Sequence, residues 1–84
     1  MYIYLITFRS VTFAQRAEKL LNRHGTKVTM MRTPRWMEEQ GCGYALKLWS
    51  QDIAQVVNHL RENRIQLRKV YVQRENGEME DIRL

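Results

Sequence analysis

Residues 2–25 read YIYLITFRSVTFAQRAEKLLNRHG, and the spacing of their apolar side chains changes partway along. The first part is dense in aromatic and β-branched residues, which favour a buried strand. Thr12 and Gln15 then fit a capping box, and from Phe13 onward apolar residues recur at helical spacing. Gly25 can end the helix because glycine adopts the left-handed conformation without steric cost. The stretch therefore predicts a strand followed by an amphipathic helix.

The remainder of the chain repeats this alternation of strand and helix. Two strands are predicted at residues 27–32 and 44–49, separated by a loop at residues 33–43 that contains a proline and two glycines. Ser50 is a favourable N-cap for a second amphipathic helix. Residues 65–72 are predicted to form the last strand.

The resulting order, β-α-β-β-α-β, predicts an α+β fold of the ferredoxin-like type. In that architecture two helices cover one face of a four-stranded antiparallel sheet. Both faces of the first strand are apolar, so the uncovered face is expected to form an interface that includes Tyr2, Tyr4 and either Tyr71 or Trp49. Residues 1–73 are expected to make up this domain.

Composition limits the class of protein. The 84 residues suffice for one domain, and 44% hydrophobic with 27% charged residues is typical of a globular chain. No apolar run approaches the ~20 residues of a membrane span, and no signal peptide is evident. A single cysteine excludes an internal disulfide, so we expect a reduced, cytoplasmic protein.

Charge is unevenly distributed along the chain, whose net charge is +5. Residues 73–84 contain four acidic and two basic side chains, and residues 74–84 are predicted to be an acidic C-terminal tail. The remaining twelve basic and five acidic side chains lie within residues 1–72. Such a basic body attracts polyanions or acidic protein surfaces.

The most distinctive local pattern is Pro34-Arg35 followed by Gly41-Cys42-Gly43. A cysteine between glycines has little side-chain cover, and glycines let backbone N–H groups turn toward an anion. With a basic residue such as Arg35 nearby, these donors would lower the thiol pKa and favour the thiolate. The alternative is a small residue at a tight junction between loop and strand, with no chemistry.

Three short runs resemble the selenium/sulfur (Se/S) carrier protein-like family over roughly residues 2–72. They are AEKLL at residues 17–21, TPR at residues 33–35 and CGYAL at residues 42–46. The resemblance implies that the loop cysteine carries sulfur or selenium as a persulfide or selenopersulfide and hands it to a partner. The family residues carried over to this chain are Pro34, Arg35, Cys42 and Gly43.

The resemblance also implies partners. A donor of the cysteine desulfurase or selenocysteine lyase class would load Cys42, and an acceptor protein would receive the chalcogen. Gly41 and Gly43 would keep the thiol accessible, Arg35 would supply positive charge, and Pro34 would fix the start of the loop. We expect no cofactor, and we expect a carrier rather than an enzyme with turnover of its own.

Two other binding functions are compatible with the sequence. The protein could be a non-catalytic interaction module that forms a homodimer through its open sheet face, with Cys42 incidental. It could also bind RNA weakly through basic residues near the second helix and the last strand, although the Lys/Arg-Gly-aromatic motif of RNA-recognition domains is absent. Those basic residues are Arg61, Arg64, Arg68 and Lys69.

The spacing of residues indicates neither a metal site nor a common catalytic motif. His24, His59 and Cys42 are the candidate nitrogen and sulfur ligands, but no pair has the spacing of a zinc motif, so no metal site is expected. The methionines are interpreted as core residues. No catalytic triad and no phosphate-binding glycine loop is recognisable.

Overall fold

The computed structural model describes residues 2–33 and 43–84, and these residues form two helices and five strands. In chain order they are β1 (Tyr2–Phe8), α1 (Val11–Arg23), β2 (Val28–Arg32), β3 (Tyr44–Ser50), α2 (Ile53–Glu62), β4 (Val70–Gln73) and β5 (Met79–Ile82).

The strands form one antiparallel sheet in the order β2-β3-β1-β4-β5. β1 is central and pairs with β3 along its whole length, from Tyr2 opposite Ser50 to Phe8 opposite Tyr44. The first six elements follow the predicted order, so the α+β prediction is confirmed. The prediction of four strands is wrong, because β5 extends the sheet beyond β4.

β5 lies within residues 74–84, the stretch that was expected to be an acidic tail. Gly77, at φ 86°, forms the turn after β4, and its N–H donates to the Arg74 carbonyl at 2.9 Å. Met79 and Ile82 then pack against different hydrophobic clusters on the two faces of the sheet. These two apolar side chains, rather than the acidic residues between them, explain the additional strand.

Ser10 begins α1. Its Oγ accepts hydrogen bonds from the backbone N–H groups of Thr12 at 3.1 Å and Phe13 at 3.4 Å. The predicted capping box of Thr12 and Gln15 is therefore wrong, because Ser10 caps the helix earlier in the chain. The predicted helix end is confirmed, since Gly25 has φ 82° directly after the C-cap.

Asp52, rather than Ser50, is the N-cap of α2. Asp52 Oδ1 accepts from the Gln55 N–H at 3.2 Å, and Ser50 Oγ accepts from the Asp52 N–H at 3.0 Å. After α2 the chain turns at Arg64, whose φ of 59° lies in the left-handed region. Neither helix of the described chain is long and apolar enough to cross a membrane.

The main hydrophobic core lies between the two helices and one face of the sheet. Full burial of an aliphatic or aromatic side chain contributes about 1.5–3 kcal/mol relative to exposure, so this layer dominates stability. Its most completely buried large members are Phe8, Ile6, Leu21, Leu46, Leu48, Leu60 and Val57.

The other face of the sheet differs from the predicted aromatic interface. Tyr2 and Tyr4 are on the helix side of β1, and Tyr4 belongs to the main core with 8% exposure, so the prediction for these two residues is wrong. Tyr71 is on the opposite face but lies in a small buried cluster. Trp49, at 56% exposure, is the one member of the predicted set that both faces this side and is open to solvent.

Candidate functional site

Residues 34–42 connect β2 to β3, and the described residues on either side of this connecting segment meet at one point. The pairing of β2 with β3 ends at Arg32 opposite Tyr44. At the next residue pair beyond the strands, the Thr33 N–H donates a hydrogen bond to the Gly43 carbonyl at 3.0 Å. The two flanks of the connecting segment are therefore hydrogen-bonded to each other at the end of the sheet.

Gly43 is buried directly before β3, and the surrounding atoms leave little room for a side chain. A Cβ atom at this position would lie 3.1 Å from Thr33 Oγ1 and 3.3 Å from the carbonyl oxygen of Phe8. Both distances are shorter than the ~3.5–4.0 Å at which nonbonded atoms attract best. Glycine thus lets the ends of β1 and β2 approach the chain directly beside Cys42.

Thr33 contributes an unusual polar group to the same place. The residue is 6% exposed, and within the described part of the chain its Oγ1 is the buried side-chain polar atom without a hydrogen-bond partner. An unpaired buried hydroxyl costs about 1–3 kcal/mol. Such exceptions are few in native structures, and each one marks a position to test for function.

Four basic residues lie at this end of the sheet. Arg9 follows β1, Arg32 ends β2, and Arg68 and Lys69 precede β4. The Arg68 N–H donates to the Thr7 carbonyl at 2.7 Å, which holds the chain before β4 against the end of β1. The antiparallel pairing therefore gathers positive charge from distant parts of the sequence.

A cavity of about 380 Å³ lies at the same end, beside the start of α1. Arg9, Arg68 and Lys69 line it together with polar and apolar side chains. Lys69 Nζ also lies 3.8 Å from the carboxylate of Asp81, which offsets part of the positive charge. Because three of its lining residues are basic, the cavity favours anionic ligands or acidic protein surfaces.

The structure locates only part of the predicted site. Gly43 is described, and it lies at the junction between the connecting segment and β3. Pro34, Arg35, Gly41 and Cys42 lie outside the described residues. The described part of the candidate site consists of Thr33, Gly43 and the basic residues at the end of the sheet.

Sequence reasoning did not predict two features of this part of the site. Thr33 belongs to the TPR run, but its burial was not predicted, because that burial depends on the approach of Gly43 and Phe8 rather than on the local pattern. Arg68 and Lys69 were assigned to a possible RNA surface, whereas they lie at the end of the sheet near Thr7. Strand order was the missing information, since a local pattern does not reveal which strand ends lie together.

Comparison with known proteins identifies the family. A family model described as "Putative Se/S carrier protein-like" matches residues 3–72. Searches of curated proteins and of solved structures found no match. The matched region includes both Thr33 and Gly43 and ends within β4. Because the match spans most of the chain, the protein belongs to the Se/S carrier protein-like family.

Proposed function

We propose that Cys42 holds sulfur or selenium as a persulfide or selenopersulfide and passes it to a partner protein. Family membership supports this role, and Cys42 is the one cysteine of the chain. The observation that carries the proposal is the 3.0 Å hydrogen bond between the Thr33 N–H and the Gly43 carbonyl. Cys42 is covalently bonded to Gly43, so the sheet restrains the backbone directly beside the thiol.

Loading requires a donor that already carries a persulfide. The Cys42 thiolate attacks the outer sulfur of the donor persulfide, and the sulfur–sulfur bond of the donor breaks. The electron pair of that bond leaves with the donor cysteine as a thiolate, and the outer sulfur with its hydrogen becomes the outer atom of a Cys42 persulfide. This exchange is redox-neutral and follows the path of thiol–disulfide exchange.

Delivery reverses the direction of transfer. A nucleophile on the acceptor protein attacks the outer atom, and Cys42 leaves as a thiolate. Selenium follows the same two steps when the donor carries a selenopersulfide. Donors of the cysteine desulfurase or selenocysteine lyase class fit this chemistry, and a single free thiol suits the reducing cytoplasm.

Positive charge at the end of the sheet supports the thiolate form of Cys42. Arg32 precedes Thr33 in the chain, and Arg9, Arg68 and Lys69 lie at the same end of the sheet. Nearby cations stabilise a thiolate and lower the thiol pKa. The same charges favour docking of an acidic surface on a donor or acceptor.

The remaining predicted residues have local roles in the proposal. Arg35 adds a positive charge within the connecting segment, and Pro34 restricts the backbone where that segment begins. Gly41 has no side chain with which to cover the neighbouring thiol. Gly43, which is buried against Thr33, determines where the chain enters β3.

The pH dependence of Cys42 alkylation by iodoacetamide tests this activation. We expect the folded chain to react faster near neutral pH than the urea-unfolded chain, because the fold brings cations to the thiol. Arg32→Gln should slow the neutral-pH rate about threefold, as expected for the loss of one partly screened charge. The rate at high pH, where all of the thiol is ionised, should stay unchanged.

Lys27→Gln is the matched control. Lys27 precedes β2 at its other end, roughly 17 Å from Arg32 at about 3.3 Å per residue, which exceeds the Debye length of about 8 Å at physiological salt. This variant should react like the parent. Equal effects of the two substitutions, or a folded thiol that ionises no more readily than the unfolded one, would contradict the proposed activation.

A further inference from the structure

Two histidines that are distant in sequence lie against each other in the structure. His24 is the C-cap of α1, and His59 lies within α2. Their ring centroids are 4.4 Å apart, and the ring planes meet at 81°. The packing of the two helices thus brings together the only two imidazoles of the chain.

The ring of His24 is oriented by a backbone contact. Its Nδ1 lies 2.9 Å from the carbonyl oxygen of Leu20. A carbonyl oxygen can only accept, so Nδ1 carries the hydrogen and the lone pair of a neutral ring is on Nε2. Histidines that bind metal ions commonly donate their other ring N–H to a carbonyl in this way. No described residue forms a hydrogen bond with the ring of His59.

The separation of the two rings suits a shared metal ion. With metal–nitrogen bonds of about 2.0–2.1 Å, two imidazoles on one ion have centroids about 4.5–5.2 Å apart for angles of about 90–110° at the metal. The observed separation of 4.4 Å is just below this range. The distance between the two rings is therefore close to that of two imidazoles on one ion.

The surroundings of the pair leave space for the ion and its water ligands. His24 and His59 line a cavity of about 870 Å³ together with Asp52 and Gln55, and Lys27 also lines it. Asp52 provides an anionic group, although its Oδ1 also caps α2. Within residues 2–33 and 43–84, no group of three His, Cys, Asp or Glu side chains could hold a metal ion. Two protein ligands therefore imply a weakly held, exchangeable ion.

We infer that His24 and His59 form a two-histidine site for a divalent metal ion of the borderline class, such as Zn²⁺, with water completing the coordination. The ion joins the end of α1 to α2. Sequence spacing did not indicate this site, because its two ligands belong to different helices. The inference does not depend on Cys42, and it can be tested in a chain that lacks this cysteine.

Titration of the Cys42→Ser protein with Zn²⁺ alone tests the site. Calorimetry measures the binding, and NMR monitors the ring protons of both histidines. We expect saturable binding of one ion, with both sets of ring protons shifting together. His24→Gln and His59→Gln should each weaken binding by about tenfold or more, as for other losses in a metal site. The control Asn58→Gln, an exposed neighbour on α2, should bind Zn²⁺ like the parent.

Three results would overturn the inference. They are the absence of saturable Zn²⁺ binding, a shift of only one ring, and parental affinity in either histidine variant. Circular dichroism establishes that the variants are folded before their affinities are compared. If a variant does not fold, the NMR shifts of the two rings in the Cys42→Ser protein decide the question without it.

Discussion

The absence of a side chain at Gly43 determines how closely the strands meet beside Cys42. Thr33 Oγ1 and the Phe8 carbonyl occupy the space in which a Cβ atom would lie. The same Thr33 hydroxyl has no hydrogen-bond partner among the described residues. One crowded glycine and one unpaired hydroxyl therefore flank the segment that contains Cys42, and each can be tested by substitution.

Gly43→Ala should destabilise the fold by about 1–3 kcal/mol, because the added methyl group crowds Thr33 and Phe8. Urea unfolding measures this change in free energy. In the double variant Gly43→Ala/Thr33→Ala, the removal of Oγ1 relieves part of the crowding. The loss of unfolding free energy in the double variant should therefore be smaller than the sum of the losses in the two single variants. Strict additivity would show that Thr33 does not limit the space at Gly43.

Single residues were predictable from sequence where the signal was local. Gly25 was predicted to end α1, and its φ of 82° confirms this, whereas the role that the Gly41-Cys42-Gly43 pattern assigns to Cys42 stays a prediction. The burial of Thr33 and the contact between His24 and His59 were not predictable, because they arise from pairings between distant parts of the chain. Local patterns identify reactive residue types, whereas strand and helix packing determines which residues lie beside them.

At the level of elements, the chain turns after α2 at a residue poorly suited to its conformation. Arg64 has φ 59°, whereas Gly25 occupies the corresponding position after α1 with φ 82°. Arg64→Gly should therefore stabilise the protein by about 1 kcal/mol by relieving left-handed strain in a side-chain-bearing residue.

Arg64→Ala is the control for this prediction. It removes the charge and the long side chain but keeps the Cβ atom that causes the strain, so its stability should remain near that of the parent. Thermal unfolding of the three proteins measures the difference. If the alanine variant is stabilised as much as the glycine variant, backbone strain is not the reason.

β5 shows why the last element was not predicted. The acidic residues of the stretch suggested a solvated tail, but Met79 and Ile82 provide apolar anchors on the two faces of the sheet. Periodicity over four residues is too short to distinguish an edge strand from a tail. The order and type of the longer elements were predictable, because their apolar spacing extends over more residues.

Ile82→Ala should destabilise the protein by about 1–2 kcal/mol. This loss is smaller than the one expected when a fully buried isoleucine is replaced by alanine, because the Ile82 side chain is only partly buried. Asp81→Ala provides the control in the same strand. It removes a surface ion pair with Lys69, which is worth about 0–1 kcal/mol. Urea unfolding measures the free energy of unfolding of both variants. Equal losses of stability in the two variants would mean that Ile82 does not anchor β5.

On the scale of the whole molecule, the topology separates two sets of chemical groups. The two residues that flank the connecting segment, Thr33 and Gly43, and the basic residues lie where β1 and β2 end. α1 begins at that end and extends about 20 Å away from it at about 1.5 Å per residue, so His24 lies toward the other end. The proposed carrier thiol and the proposed metal site can therefore be tested independently.

The most direct test of the central claim is loading of Cys42 by glutathione persulfide, followed by intact-mass measurement. The Cys42 thiolate should take the outer sulfur and release the glutathione thiolate, so the protein gains the mass of one sulfur atom. The gain should disappear on treatment with a reducing thiol, and Cys42→Ser should show none. The folded chain should load faster than the urea-unfolded chain near neutral pH. Equal loading of Cys42→Ser, or a folded chain that loads no faster than the unfolded one, would contradict the account.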